Sequence, residues 1–595
     1  MTLLTTQPGQ QSIQVAGIAP NALALRAQDW SQTKFDLEYS RGHGTTYNSY
    51  LILGEKNVLI DLPADPQPEE ETASPHQQQY LQELITVLQR QLGMVPNLQN
   101  PSQQLDYIVL THVEPDYLTS LQLLLSHYPQ ARIVCSKMGA KFLGDLCDTP
   151  LPIDIVEGGD TMELGGGETV LHFIMAPNAR WLDHMFVYQP IRKILYSGKI
   201  VSTHYCSYSI FDDDLDLIHD DIAHYYDCAL APHARQILSA LKRIEPLEIK
   251  IYAPSHGPLF RYHRREVLNA YHRWSEKQLE LSEQVVLIYA SAYGSTTALA
   301  QAIARGLTKS GVAVEMLDVE QVDPTAVQKA IEQAAGFIIG SPTISGHAPT
   351  PIQTALGVIL ATAQKTQLCG VFGSFGWSGE AIDLIEGKLR DAGFSFGFPT
   401  IRVKFKPTEA TLQQGEEAGT DFAQAIRKAR QPRRTRSRAT RTEQALGRLV
   451  GGIYVVTARR GAVQGAMVAS WVSQATFSPP GLTVAVAKDR AIESLLRRGD
   501  TFVLNVLEEG KQLPLMRHFL QPFAPGEDRF AGVGIRDAEN GAPILTDAMA
   551  YLECRVESRM DCNDHWLVYC LCETGKVLQP AGKTAVHHRK SGTFY

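Results

Sequence analysis

The sequence predicts a multidomain α/β protein in three blocks: one with a polar, His- and carboxylate-bearing rim, one doubly wound and one β-barrel. Three observations carry this. The apolar strand Gln284–Ala290 is followed by a Ser/Gly/Thr turn and an Ala-rich helix over Thr297–Ser310. The alternation repeats with a strand near Val314–Leu317, a helix near Ala326–Ala334 and a strand at Phe337–Gly340, the pattern of a doubly wound sheet. From about Leu446 it gives way to alternating strands such as Gly452–Thr457 and Leu482–Ala487, as in a barrel. Ahead of both, to about Leu281, short β-like runs end in His, Asp and Glu.

A chain of 595 residues has room for roughly three to five domains. With 44% hydrophobic and 20% charged residues the composition is that of an ordinary globular protein. The net charge of -8 excludes a protein that coats nucleic acid. Met1–Pro20 has no basic or apolar signal region, and no stretch approaches the ~18 apolar residues of a membrane span. Nine scattered cysteines without C-x-x-C spacing fit reduced thiols in the cytoplasm. Eight basic residues and no acid lie from Arg427 to Arg441. With periodicity fading between about Pro407 and Arg441, residues 431–445 read as a solvated basic linker or a strip for an acidic partner.

In the first block the strand Tyr107–Leu110 runs into His112, Glu114 and Asp116. H-x-E-x-D after a strand delivers an imidazole and two carboxylates to one rim, as a two-metal site requires. Polar loop residues that only cap their neighbours have the same look. Pro177–Met185, Leu195–Lys199 and Pro254–Gly257 feed the same rim. In order and spacing these four segments resemble the metallo-β-lactamase-like αββα domain of flavodiiron proteins, over about residues 30–275. The resemblance implies a di-iron site drawn from H-x-E-x-D-H, a His before W-P-D, an Asp after a strand and the His of P-S-H-G. His112, Glu114, Asp116 and His256 match. Tyr117 and Arg180 stand where two further His belong, and Lys199 where the bridging Asp belongs. A guanidinium and an ammonium repel iron, and are expected instead to neutralise Glu114 and Asp116. Substoichiometric iron is the expectation; one iron or zinc held by His112, Glu114, Asp116 and His256 is the alternative.

The second block carries three loops after apolar strands. Ser291, Tyr293, Ser295, Thr296 and Thr297 lie in the first, where hydroxyls and backbone N–H groups at a helix N-terminus suit a phosphate. Pro342 and Thr343 lie in the second; Gly373, Gly376, Trp377 and Gly379 lie in the third, with Trp377 able to stack on a flavin ring. Together they resemble a flavodoxin-like FMN domain, residues 284–430. In the third block, Gly465–Ala475 with Pro479–Leu482 is similar to the flavin-reductase split barrel at the C-terminus of cyanobacterial and plant-type flavodiiron proteins, residues 446–595. There the resemblance implies a second flavin, FMN or FAD, against Ser470, Trp471, Ser473 and Gln474, with Lys488 or Arg490 at its anionic end. A strand with a satisfied polar face is the plainer possibility. Val586–Arg589 reads as structural, since neighbouring strand residues face opposite ways.

The three resemblances imply a flavodiiron protein lacking several iron ligands, acting as an NAD(P)H:oxygen oxidoreductase. Electrons enter from NAD(P)H, or a carrier such as ferredoxin, at the C-terminal flavin, pass to FMN and reduce oxygen to water in photoprotective electron flow. The implied assembly is a homo-oligomer or a mixed oligomer with a paralogue that keeps its iron ligands. The alternative is a regulatory or electron-input subunit with no oxygen reduction of its own.

Overall fold

The computed structural model describes residues 12–30, 34–35, 39–40, 43–62, 75–93, 104–147, 149–165, 169–281, 283–430 and 440–589. The chain divides into two compact units, Met1–Glu280 and Leu281–Tyr595.

The first unit is a sandwich of two sheets. One has seven strands in the order Ser12–Ala19, Ala22–Asp29, Thr45–Ile52, Val58–Ile60, Tyr107–Val109, Arg132–Ser136, Ile153–Val156. The other has five: Thr161–Glu163, Val170–Met175, Met185–Gln189, Ile194–Gly198, Ile251–Pro254. Alternation along each strand decides which core a side chain joins. Val58, Ile60 and Val109 meet Phe173, Val187 and Tyr196 between the sheets. Leu59 and Ile108 point the other way, towards Leu88 and Leu121 of the covering helices. The sheet begins at Ser12, ahead of residue 30, because Pro20 and Asn21 (φ 60°) turn two alternating runs into a hairpin. At the other end the helix Arg264–Glu280 runs past residue 275.

The second unit opens with a six-stranded parallel sheet in the order Ala313–Asp318, Gln284–Tyr289, Gly336–Pro342, Leu368–Phe375, Ser395–Phe396, with Ile401–Lys404 also on Leu368–Phe375. Its strands are buried on both faces, which is why Gln284–Ala290 reads as one apolar run. The opening helix, Ser295–Lys309, follows the first strand. Where the sequence suggests fading periodicity there is a 22-residue closing helix, Glu409–Arg430. Its apolar positions Ala418, Phe422, Ala423 and Ile426 pack against Leu299, Ile303 and Leu307 of the opening helix. A Cβ on Gly306 would lie 2.0 Å from the Glu416 carbonyl, and one on Gly419 2.1 Å from that of Ile303. Only glycine permits this backbone contact. Arg427 and Lys428 are therefore helical; residues 431–439 of the linker lie outside the described residues, and Arg441–Leu446 is a short helix capped by Thr440 and Glu443.

A seven-stranded antiparallel sheet completes the unit, in the order Val463–Ala469, Tyr454–Arg460, Thr501–Val506, Ala550–Cys562, His565–Val577, Pro480–Ala487, Val472–Phe477. Met467 and Ala469 at one end share a core with Leu482 and Val484 at the other, so the sheet curls into a barrel. Buried ions join it to the two helices. Glu493 meets Arg559 at 2.9 Å, Arg497 at 3.7 Å and Lys309 of the opening helix at 3.9 Å. Lys309 and Arg305 also hold Glu416 of the closing helix.

Candidate functional site

The rim of the first unit is assembled where Tyr107–Val109, Ile194–Gly198 and Ile251–Pro254 end. Thr111 Oγ1 donates to Asp61 (2.8 Å to Oδ2), so its 3.0 Å contact with His112 Nδ1 makes the ring nitrogen the donor. The other nitrogen, Nε2, accepts from the Tyr117 hydroxyl at 2.9 Å. His256 shows the same tautomer: Nδ1 donates to the Thr46 carbonyl at 2.9 Å, and Nε2 accepts from Lys199 Nζ at 2.8 Å. Lys199 is fully buried and also donates to Glu114 at 3.1 Å, while Trp181 Nε1 holds the other Glu114 oxygen at 2.9 Å.

Gly198 (φ 56°) makes room for this, since a Cβ there would lie 2.6 Å from His184 Nε2. Burial, with Lys199, His184 and His256 adding to it, holds the His112 imidazole well below the usual histidine range. Burial, with Lys199 adding to it, pushes His184 down to about 3, against the Ser197 backbone, which favours the charged ring. Burial pushes the Asp183 carboxyl up to about 7, despite the N–H of Val113. Arg180 (φ 74°) lies over the Trp181 ring at 5.1 Å, and Lys199 forms the ion pair expected with Glu114. Asp116 sits on the turn Pro115–Tyr117, and its side chain lies outside the described residues.

This donor set does not fit two irons. The lone pairs that His112 and His256 would offer are taken by Tyr117 and Lys199. An ammonium stands between Glu114 and His256. Among the described residues no three His, Cys, Asp or Glu are placed to hold a metal.

The three loops of the parallel sheet converge at its carboxyl edge, where the strand order reverses between Gln284–Tyr289 and Gly336–Pro342. Ser295 starts the opening helix, and Ser291 Oγ accepts from the Thr297 N–H at 3.3 Å. Thr296 is buried with its hydroxyl 2.9 Å from Ser374 Oγ, so it ties the first loop to the third. Pro342 ends its strand; Thr343 donates its N–H to the Ser374 carbonyl at 2.8 Å and keeps a buried hydroxyl without a protein partner. Gly373 lies within Leu368–Phe375, Gly376 follows it, and Gly379 caps Glu380–Asp391. Tyr293 (96% exposed) and Trp377 (93%) stand open on these loops, an aromatic surface of the kind an isoalloxazine covers. The residues fit FMN: Ser295 and the helix N-terminus for the phosphate, Tyr293 and Trp377 for the ring. Replacing Thr296 by Glu puts a buried charge where the loops are joined and repels a phosphate. The purified full-length variant is expected to retain no FMN; an unchanged flavin-to-protein ratio would refute this placement.

In the barrel, Ser470 and Trp471 line a cavity of about 550 Å³, the size of a cofactor site. The Ser470 hydroxyl is buried without a partner among the described residues, free to bond a ligand in the cavity. Arg490 lines the cavity too. Lys488 is spent on Asp561 at 2.7 Å and on the Trp566 ring. Ser473 and Gln474 fall outside: they are exposed on the edge strand Val472–Phe477 and bond to its own backbone. Of the last residues, His587 lines the cavity and Arg589 lies 4.9 Å over Trp471. The sequence reading missed the cavity's other wall, the polar stripe Glu417, Thr420, Asp421, Gln424 and Lys428 of the closing helix. The three- and four-residue spacing of that stripe, opposite Ala418, Phe422 and Ile426, was the available signal.

Comparison with known proteins agrees with this architecture. Residues 87–257 match the ODP family beta lactamase, 287–419 flavodoxin, and 446–593 the flavin reductase like domain. Diflavin flavoprotein A 6 of Nostoc sp. is 50% identical over 591 residues, 99% of this chain and 100% of that one. Diflavin flavoprotein A 3 of Synechocystis sp. is 51% identical over 598 residues, covering 99% and 96%. A metal-soaked flavodiiron core from Synechocystis sp. superimposes with a TM-score of 0.64 at 46% identity, over 71% of this chain and all of that one. With its ligand-poor rim, flavodoxin-like sheet and reductase-like barrel in one order along the chain, the protein belongs to the diflavin flavoproteins of the flavodiiron family.

Proposed function

We propose that this chain is the iron-poor, electron-delivering subunit of a mixed flavodiiron oligomer. Electrons from NAD(P)H or a reduced carrier such as ferredoxin enter at a second flavin in the barrel cavity and pass to FMN at the carboxyl edge of the parallel sheet. Oxygen is reduced to water on a paralogue that keeps its iron ligands. Bound flavins supply the exchange between two-electron and one-electron chemistry. This chain contributes the N-terminus of the opening helix, Tyr293 and Trp377 for FMN, and Ser470, Trp471 and Arg490 for the second flavin. Ser473, Gln474 and Lys488 are left out of that set. In the first domain, Tyr117, Lys199 and Trp181 satisfy His112, His256 and Glu114 in place of a metal. The setting is the cytoplasm, in photoprotective electron flow.

One observation carries the division of labour: Lys199 Nζ lies 2.8 Å from His256 and 3.1 Å from Glu114, so a cation is built into the place of a metal. The test is iron and flavin per chain in the protein purified alone, beside its oxygen consumption with NADH and with NADPH. Two flavins and far less than one iron are expected. No reduction of oxygen to water is expected without a paralogue; two tightly bound irons, or such reduction by the chain alone, would overturn the proposal.

A further inference from the structure

The cavity beside Ser470 is not enclosed by the barrel alone. One side is barrel: Ala466, Met467, Ala469, Ser470 and Trp471, then Asp489 and Arg490 in the turn after Pro480–Ala487. The opposite side is the closing helix, through Glu417, Thr420, Asp421, Gln424, Ala425 and Lys428. The helix is held in place there. Glu417 meets Arg529 at 3.1 Å and accepts the Gly526 N–H at 2.9 Å, and Gln424 donates to the Asp489 carbonyl at 3.1 Å. Its opposite face is locked into the core of the parallel sheet by Ala418, Phe422 and Ile426.

Resting on the flavin assignment above, we infer that the second flavin site is shared between two domains, with the closing helix as its second wall and Asp421 as a positioning residue that sets the flavin's reduction potential. A reduced flavin carries a negative charge that the oxidised form lacks. A carboxylate in the wall therefore disfavours reduction, more strongly where water is excluded. Asp421 is suited to this because no hydrogen bond or ion pair ties its carboxylate among the described residues, unlike Glu417 and Asp489. Burial and the neighbouring Glu417 push it up to about 6, with Arg529 pulling the other way. The other groups around the cavity are Glu417 and Lys428 on the helix, Asp489 and Arg490 on the turn, Arg529, and His587 near the C-terminus.

The experiment uses full-length protein, stripped of flavin and titrated with FMN and then FAD, with the midpoint potentials of both flavins measured. Ser470→Trp fills the cavity from the barrel side and should leave one flavin per chain. Ala425→Trp fills it from the helix side and should weaken the second flavin at least tenfold, with FMN in the parallel-sheet domain as the check on folding. Asp421→Asn keeps the shape, and should move only the second flavin's potential to more positive values. The difference from the wild type should close as the pH falls below about 6, where Asp421 is already neutral. If Ser470→Trp loses the second flavin while Ala425→Trp binds it as tightly as wild type, the helix is not a wall and the inference fails with the flavin assignment intact. An unmoved potential in Asp421→Asn removes that residue's role. A wild-type chain that saturates at one flavin overturns the assignment and the shared site together.

Discussion

Replacing Glu493 by Gln should destabilise the second unit by about 3–5 kcal/mol, the usual effect of removing one partner from a buried ion cluster. The carboxylate is almost wholly buried among Arg559, Arg497 and Lys309, with Arg305 nearby. Gln keeps the shape but leaves those cations facing one another in low dielectric. Burial pushes the Glu493 carboxyl up, but Arg497, Arg559, Lys309 and Arg305 outweigh it and hold the group well below the ordinary range. A carboxyl depressed in the folded state stabilises fully above its unfolded value of about 4.3, and that contribution is lost as pH falls towards the folded one. Urea melts of wild type and Glu493→Gln should thus differ most at neutral pH and converge in strong acid. Equal midpoints at pH 7 would show that the cluster contributes nothing.

Lys199→Asp should be nearly as costly. It replaces a buried ammonium by a carboxylate beside Glu114, with Asp61 bound to the same Thr111 that holds His112, and about 3–5 kcal/mol is at stake. Adding Tyr117→His and Arg180→His restores the family's ligand types, and iron can then offset the new charge. The triple variant should bind well over one iron per chain and recover much of the lost stability in its presence, by elemental analysis and thermal melts with and without chelator. A single variant as stable as wild type, or a triple variant as iron-poor as wild type, would sink the account of this rim.

The parts of the molecule that were legible in the sequence share a cause: their signals are local. Gln284–Ala290 with its Ser/Thr turn announces a buried parallel strand and a helix start, and both stand within a few residues of where expected. At the rim, a lysine where a carboxylate is expected is a chemical statement on its own, and the structure sets Lys199 between Glu114 and His256. What was missed depends on contact across the chain. The closing helix has Gly415 and Gly419 among its polar residues, and only the opening helix, about a hundred residues away, gives those glycines a purpose. Ser473 and Gln474 look as suitable as Ser470 until the curl of the sheet turns one inward and leaves the others on an edge. The pairing of Glu114 with buried Lys199 sits beside Gly198, whose positive φ lets the chain pass close to His184 and Thr111, a backbone feature invisible in residue type alone.

The glycine-to-carbonyl seating of the opening and closing helices also fixes a length. The helices run side by side in the same direction: Gly415 meets Leu299, Gly419 meets Ile303, and Gly311 meets Arg427. The FMN loops sit on the first turn of the opening helix, and the barrel cavity lies beside the second half of the closing helix. Two backbones in contact cannot slide without breaking it. For the electron path proposed above, the separation of the two sites within one chain is thereby set by the seating of two helices rather than by the loops that line them.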